Sequence, residues 1–224
     1  FKQGQYDDSG SFLGVRDFSS SETVVNYSKP EPRLGINYKV GENSAIKASY
    51  ARIYQYIQNI YNTSTPLPTS RWKMSDTFIR PQKNDTYGLG WYQNLTDLGL
   101  EISSEGYYRK TENNLTYKPG ANFFLSEFLE QEVTQAQGRT YGVEMSIRKN
   151  KGKVNGFINY TWSRSLLKTN EMALQNRINN NNWFASDFDR PHTVNATINF
   201  EGDAYNAFSF NFTGQTGRPY TVAN

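Results

Sequence analysis

The sequence predicts an all-β chain, an antiparallel up-and-down meander of about eight strands that forms a partial wall of a large transmembrane β-barrel. Three observations predict it. Apolar side chains recur at every second position through segments of about ten residues, longer than the roughly five or six usual in soluble strands. Tight turns and long polar loops alternate in strict order between those segments. Aromatic rings, 15% of the residues, collect toward both ends of the segments, where amphipathic rings suit the two surfaces of a membrane.

Taken in order, the alternation first appears at Leu34, Ile36, Tyr38 and Val40, and then at Ile46, Ala48 and Tyr50. It resumes at Tyr87, Leu89 and Trp91, and at Leu100, Ile102 and Tyr108, which oppose Glu101, Glu105 and Arg109. Tyr141, Val143, Met145 and Ile147 then oppose Gly142, Glu144, Ser146 and Arg148. In the next segment Val154, Ile158, Tyr160 and Trp162 oppose Asn155, Asn159, Thr161 and Ser163, with Phe157 the one bulky apolar residue on the polar parity. The cleanest case is Val194, Ala196, Ile198 and Phe200 against Thr193, Asn195, Thr197 and Asn199, followed by Phe208, Phe210 and Phe212. A strand places successive side chains on opposite faces, so each segment has one apolar and one wet face.

The connections carry the second pattern. Gly41-Glu42-Asn43, Asn94 to Asp97, Asn150-Lys151-Gly152 and Glu201-Gly202-Asp203 hold the residues that tight hairpins need. Long loops are expected near 56–83, 110–138 and 166–190, and loops beyond about 12 to 15 residues are uncommon inside compact soluble domains. In a meander every second connection falls on one side, so one rim carries tight turns and the other tall loops. The expected organisation of 1–224 is one barrel portion: an extracellular loop region over 1–32, four hairpins over 33–216, and the start of another loop over 217–224.

Other classes fit poorly. With Cys 0 and His 1 there are no disulfides and little for zinc or histidine catalysis, and no nucleophile-base pair or cofactor motif stands out, so no enzyme and no cofactor are expected. The net charge of +3 is spread among acids and makes no nucleic-acid stripe. No stretch approaches the roughly 20 apolar residues of a membrane helix. Hydrophobic residues are only 36%, but Tyr 16 and Phe 14 argue against disorder. A half-buried sheet in a soluble sandwich would alternate too, but it accounts for neither the strand length nor the loop rhythm.

The facing follows from parity. Val143, Ile147, Ile158, Val194, Ile198 and Phe210 are expected to meet outer-membrane lipid, and Lys47, Glu101, Glu105, Glu144, Arg148 and Asn159 to line the lumen as a hydrated wall. Loop residues Trp72, Arg80, Phe123, Phe124 and Trp183 are candidates for contact with an extracellular ligand. Asp189-Arg190-Pro191-His192 is read as a loop anchor that closes before ladder pairing begins.

Pro30 to Gln58 (PEPRLGINYKVGENSAIKASYARIYQYIQ) resembles the barrel segment of TonB-dependent outer-membrane receptors. So do GRTYGVEMSIRK with GFINYTWSRS (Gly138 to Ser165), FDRPHTVNATINF (Phe188 to Phe200) and FNFTGQTGRPYTV (Phe210 to Val222), in the family's order. The resemblance implies a barrel of 22 strands in the bacterial outer membrane, a separate plug, engagement of TonB, and active uptake of a scarce small nutrient: a siderophore, cobalamin, glycan or peptide. It also allows a surface lipoprotein as partner. Neither the plug nor the terminal aromatic strand is found in these residues, so a barrel portion is expected. The alternatives are a passive porin or scaffold barrel, and a soluble secreted β-rich adhesin or carbohydrate-binding module.

Overall fold

The computed structural model describes residues 2–6, 12–60, 71–121, 129–173, 176–202 and 205–219. Its main sheet is a meander of eight long strands: β3 (Arg33–Lys39), β4 (Ser44–Gln55), β7 (Gln82–Leu95), β8 (Leu100–Tyr117), β9 (Val133–Lys149), β10 (Val154–Lys168), β12 (His192–Glu201) and β13 (Ala207–Gln215). All neighbours pair antiparallel. The short β11 (Phe184–Ala185) adds to the loop end of β10, and two further hairpins, β1 (Lys2–Tyr6) with β2 (Phe12–Asp17) and β5 (Ile57–Ile60) with β6 (Arg71–Met74), stand beside the sheet. The sheet does not close on itself, so it is a partial wall.

Tight turns join β3 to β4, β7 to β8, β9 to β10 and β12 to β13. At two of them a glycine supplies the positive φ that other residues resist: Gly99 at 61° and Gly152 at 92°. Long connections leave the opposite rim. That after β8 is shorter than the sequence suggests, because β8 runs on to Tyr117 and β9 starts at Val133. The alternation is lost there for a local reason. A bulge lies between Thr111 and Asn114, where Asn113 adopts φ 58°. The bulge moves the inward parity of β8 from odd to even positions, so Asn114 and Thr116 point inward while Leu115 and Tyr117 take the other face.

Register also gives the tilt. A row of directly paired residues starts at Ser44, the first residue of β4, and passes through Gln93, Ile102, Ile147, Ile158 and Ala196. It ends at Phe212, the sixth residue of β13. With about 3.3 Å per residue and about 4.8 Å between strands, this offset inclines the strands by about 30° if the tight turns share a rim, just below the roughly 35–45° of membrane barrels.

Parity sorts the sheet as the alternation predicts, and three rows on one face follow one another toward the loop rim. The first runs Ala48, Leu89, Gly106, Val143, Trp162. The second is four tyrosines across four strands: Tyr50, Tyr87, Tyr108, Tyr141. The third is charged: Arg52, Asp85, Lys110, Arg139. Arg52 binds Asp85 at 2.7 Å, Lys83 bridges Asp85 and Glu112 at 3.4 and 3.2 Å, and the Tyr50 hydroxyl donates to Asp85 at 2.8 Å. Among the described residues no helix or second sheet covers the apolar part of this face, where Ile36 is 69% and Phe210 60% exposed.

Buried side chains lie at the loop end and in the hairpins beside it. Ile79 and Val133 pack together with Leu115 and Tyr117, and Ala136 is also buried. Around them Asp76 accepts from the amides of Phe78 and Ile79, Gln3 donates to Thr77 at 2.8 Å, and the Tyr27 hydroxyl donates to the Asp76 carbonyl at 2.7 Å. Burial, with the nearby Glu130 and Asp76 carboxylates, pushes the Tyr6 phenol up to about 12. The residues 1–32 therefore carry a hairpin that joins a small folded cap.

Candidate functional site

On the face opposite the tyrosine row, the loop ends of β8, β9 and β10 form the floor of a cavity of about 470 Å³. The floor is made by inward positions of three neighbouring strands: Thr111 on β8, Gly138 and Thr140 on β9, Ser165 and Leu167 on β10. The bulge at Asn113 keeps Asn114 and Thr116 on this same face despite the break in parity. Gln58 and Asn59 of β5 contribute on one side, and Phe184, Asp187 and Phe188 on another.

The lining carries little charge and mixes hydrogen-bonding groups with the apolar Leu115, Leu166, Leu167, Phe184 and Phe188. Amides come from Gln55, Gln82 and Asn114, and hydroxyls from Thr111, Thr140 and Ser165. No lysine or arginine lines it, and Asp187 is its one carboxylate among the described residues. Some of these groups are already engaged: Thr111 donates to Asn84 at 2.8 Å, and Ser186 donates to Ser165 at 2.9 Å. Gln58 is buried, and its Nε2 has no partner among the described residues, an arrangement that a ligand or ordered water would relieve.

The loop from β10 to β12 is held onto this site by a buried carboxylate. Asp189 is 3% exposed and accepts from the Ser165 amide at 2.6 Å and from Arg164 Nε at 3.1 Å. Pro191 contributes only its carbonyl, which accepts from the Ser163 amide at 3.0 Å. Further out, Asn181 bonds Thr169 and the backbone of Glu171, and Asn179, Asn180 and Asn181 all adopt positive φ, which asparagine tolerates better than most residues. This loop is a built structure that presents Phe184 and Phe188 to the cavity.

Of the loop candidates named from sequence, Trp72, Arg80 and Trp183 are not among the described residues that line this cavity. Trp72 lies exposed on β6, opposite Asn59, and Arg80 is exposed, its carbonyl accepting from Gln135. Trp183 packs under the Arg139 guanidinium at 4.2 Å. Phe123 and Phe124 lie outside the described residues. The polar strand residues that line the cavity are hydroxyls and amides, set among Leu115, Leu166 and Leu167; the signal that marks them is a stretch such as Thr111 to Asn114, where polar residues occupy both parities of a paired strand.

Lys47, Glu101, Glu105, Glu144, Arg148 and Asn159 share the cavity's face, closer to the tight turns. Glu105 pairs directly with Glu144 and Glu101 with Arg148; Glu105 accepts from the Tyr92 hydroxyl at 2.8 Å, and Lys47 sits 4.2 Å over the Tyr92 ring. Asn159 accepts from Ser146 at 2.7 Å. Val143, Ile147, Ile158, Val194, Ile198 and Phe210 share the other face, with Ile147 beside Ile158 and Ile198 beside Phe210. No group of three or more His, Asp or Glu side chains suited to a metal is present among the described residues.

Residues 4–224 match the family described as TonB dependent receptor-like, beta-barrel. The chain belongs to the TonB-dependent receptor β-barrel family. Neither the curated proteins nor the solved structures compared with it gave a match. As a TonB-dependent receptor barrel, the chain is an outer-membrane β-barrel protein with a general role in transport, and receptors of this kind are transporters rather than enzymes. The soluble-module alternative has no place for that membership or for a face graded from apolar through tyrosine to charge.

Proposed function

We propose that the chain is a portion of the barrel of an active importer, and that its cavity is part of the vestibule that captures the solute before uptake. One observation carries the reading: the cation-free cavity lies on the face opposite the tyrosine row, at the same end of the same strands, where a solute arriving from outside would meet the lumen wall. On this reading Val143, Ile147, Ile158, Val194, Ile198 and Phe210 touch lipid, and Lys47, Glu101, Glu105, Glu144, Arg148 and Asn159 line the hydrated passage beside the plug. TonB, acting through the plug, opens that passage. A surface lipoprotein could cover the long loops.

The lining also favours one class among the scarce nutrients. A cavity of amides, hydroxyls and phenylalanine rings with no cation suits a neutral solute rich in hydroxyl or amide groups, a glycan or a short peptide, better than an anionic iron chelate. Uptake of labelled oligosaccharides and peptides by cells carrying the full-length receptor tests this. We expect uptake to stop when TonB is deleted, and to fall at least tenfold when Ser165→Trp fills the cavity while surface levels stay normal. Uptake that persists without TonB would make the barrel a passive porin, and uptake indifferent to Ser165→Trp would move the ligand elsewhere.

A further inference from the structure

A second concavity, about 450 Å³, lies on the opposite face of the same strands. Its origin is a missing side chain. Gly106 stands on the outer parity between Leu89 of β7 and Val143 of β9, and the row above it is Tyr87, Tyr108 and Tyr141. Those three rings, with Trp162, Leu89 and Val143, wall a groove whose floor is the backbone of Gly88, Gly106 and Gly142. Tyr141 and Trp162 meet edge to face at 5.9 Å, which holds that wall upright. The groove is almost wholly apolar.

Three cations border its upper end. Lys110 lies one outward position beyond Tyr108 and pairs in register with Arg139, and Arg164 pairs with Tyr141. The acids facing them are Glu112, 2.8 Å from Lys110, Asp85, which pairs with Lys110 in register and is itself bound by Arg52 and Lys83, and Asp189, 3.1 Å from Arg164. Arg139 has no carboxylate within ion-pair distance among the described residues; it rests on Trp183, and its Nε has no hydrogen-bond partner among them. Lys110 is 55% exposed, so its ammonium remains open to a further anion. With Arg52 and Lys83 counted beside Asp85, the cations at this level outnumber the acids among the described residues, and Arg139 is the one left without a carboxylate.

We propose that this groove holds an acyl chain of a phosphorylated lipid from the outer leaflet, with a phosphate of the same molecule among Lys110, Arg139 and Arg164. The inference rests on the reading that this face meets lipid. Three features point to a lipid rather than a protein. The groove is continuous with the apolar rows that form the membrane surface, it opens at the height of the tyrosine row where hydrocarbon gives way to headgroups, and the cations lie one step beyond. Guanidinium and ammonium groups at that level match phosphate in charge and donor geometry.

Gly106 provides a clean test. A Cβ added there meets nothing nearer than the Leu89 carbonyl at 4.0 Å, so Gly106→Leu fills the groove without a backbone clash. The full-length receptor, purified and placed in nanodiscs of a neutral phospholipid, is offered a bis-phosphorylated, multiply acylated glycolipid or its dephosphorylated form. Retained lipid is then counted by native mass spectrometry. We expect the native receptor to retain the phosphorylated probe about tenfold better than the dephosphorylated one. Gly106→Leu should lower retention at least tenfold, and Lys110→Gln with Arg164→Gln should abolish the preference for phosphate. Ala196→Leu, on the same face but on β12 between Ile158 and Phe212 and away from the groove, should behave as native.

Equal retention by Gly106→Leu, or equal retention of the two probes by the native receptor, would overturn the proposal. So would self-association of the receptor that Gly106→Leu abolishes. Failure of the underlying lipid-facing assignment would show separately, as normal membrane assembly of Ile158→Arg.

Discussion

The lower and upper parts of the same strands are built for different surroundings. Between the tight turns and the tyrosine row there is no buried core: every residue of β3 is exposed, and large apolar side chains stand out along one face. Toward the loops and the hairpins beside them, Ile79, Val133, Ala136, Gln3 and Thr169 are nearly inaccessible, and buried polar groups such as Asp76 and Asp189 are bonded to backbone amides. The lower wall sorts its side chains for two external media and has the inter-strand ladder as its internal bonding. The upper part excludes solvent from a small core of its own, as a soluble domain does. The comparison teaches that the strand is a common frame, and that what surrounds it decides where stability comes from.

The sharpest way to break the comparison is a charge on the lower wall. Ile158→Arg should cost about 2 to 4 kcal/mol if that side chain lies near the bilayer midplane, whereas Arg at the adjacent Asn159 should cost far less. Unfolding of the full-length receptor in urea, followed by heat-modifiable gel mobility, reads both. Equal effects would mean that the two faces are not in different media.

Smaller effects are expected in the upper part. Asp189→Ala removes the acceptor of the Ser165 amide and of Arg164, and should cost about 1 to 3 kcal/mol because a buried donor loses its partner. Hydrogen exchange should show the loop over 169–191 losing protection while the lower strands keep theirs. Asp85→Ala should cost about 1 kcal/mol or less, since Arg52 and Lys83 are partly exposed and regain water. A lower urea midpoint by a much larger margin would show that this ion network is shielded more than the sheet suggests.

The smallest effect concerns pH. The Tyr6 phenol is neutral in both folded and unfolded chains below the usual tyrosine value, so it changes nothing at neutral pH. Above pH 10.0 the unfolded chain ionises first, and the stability linked to Tyr6 is lost as pH rises toward about 12. Tyrosinate absorbance of the receptor should contain a late-titrating component that Tyr6→Phe removes.

Most of the lower wall was legible from residues alone, because period-two patterning such as Val194 to Phe200 has one meaning when both faces are long and regular. The upper part was harder for reasons visible in particular residues. Thr111 to Asn114 is polar on both parities, and the bulge at Asn113 resets them before Leu115 and Tyr117, so a paired strand reads as loop. The hairpin pairing Ile57–Ile60 with Arg71–Met74 and the strand Phe184–Ala185 are too short to show a period. The cavity was missed for a related reason: Thr140, Ser165 and Asn114 are ordinary in sequence and become a site only when three strands and two loops bring them to one place.

The inclination of the strands has one more consequence. Tyr92, Ser103, Ser146, Asn159, Asn195 and Thr213 form an unbroken inward row of hydroxyls and amides across six strands. Because that row lies obliquely to the rim, each sidestep from β13 toward β7 is also a descent. A molecule exchanging hydrogen bonds from one strand to the next would travel around the wall as it goes down, as on a spiral stair.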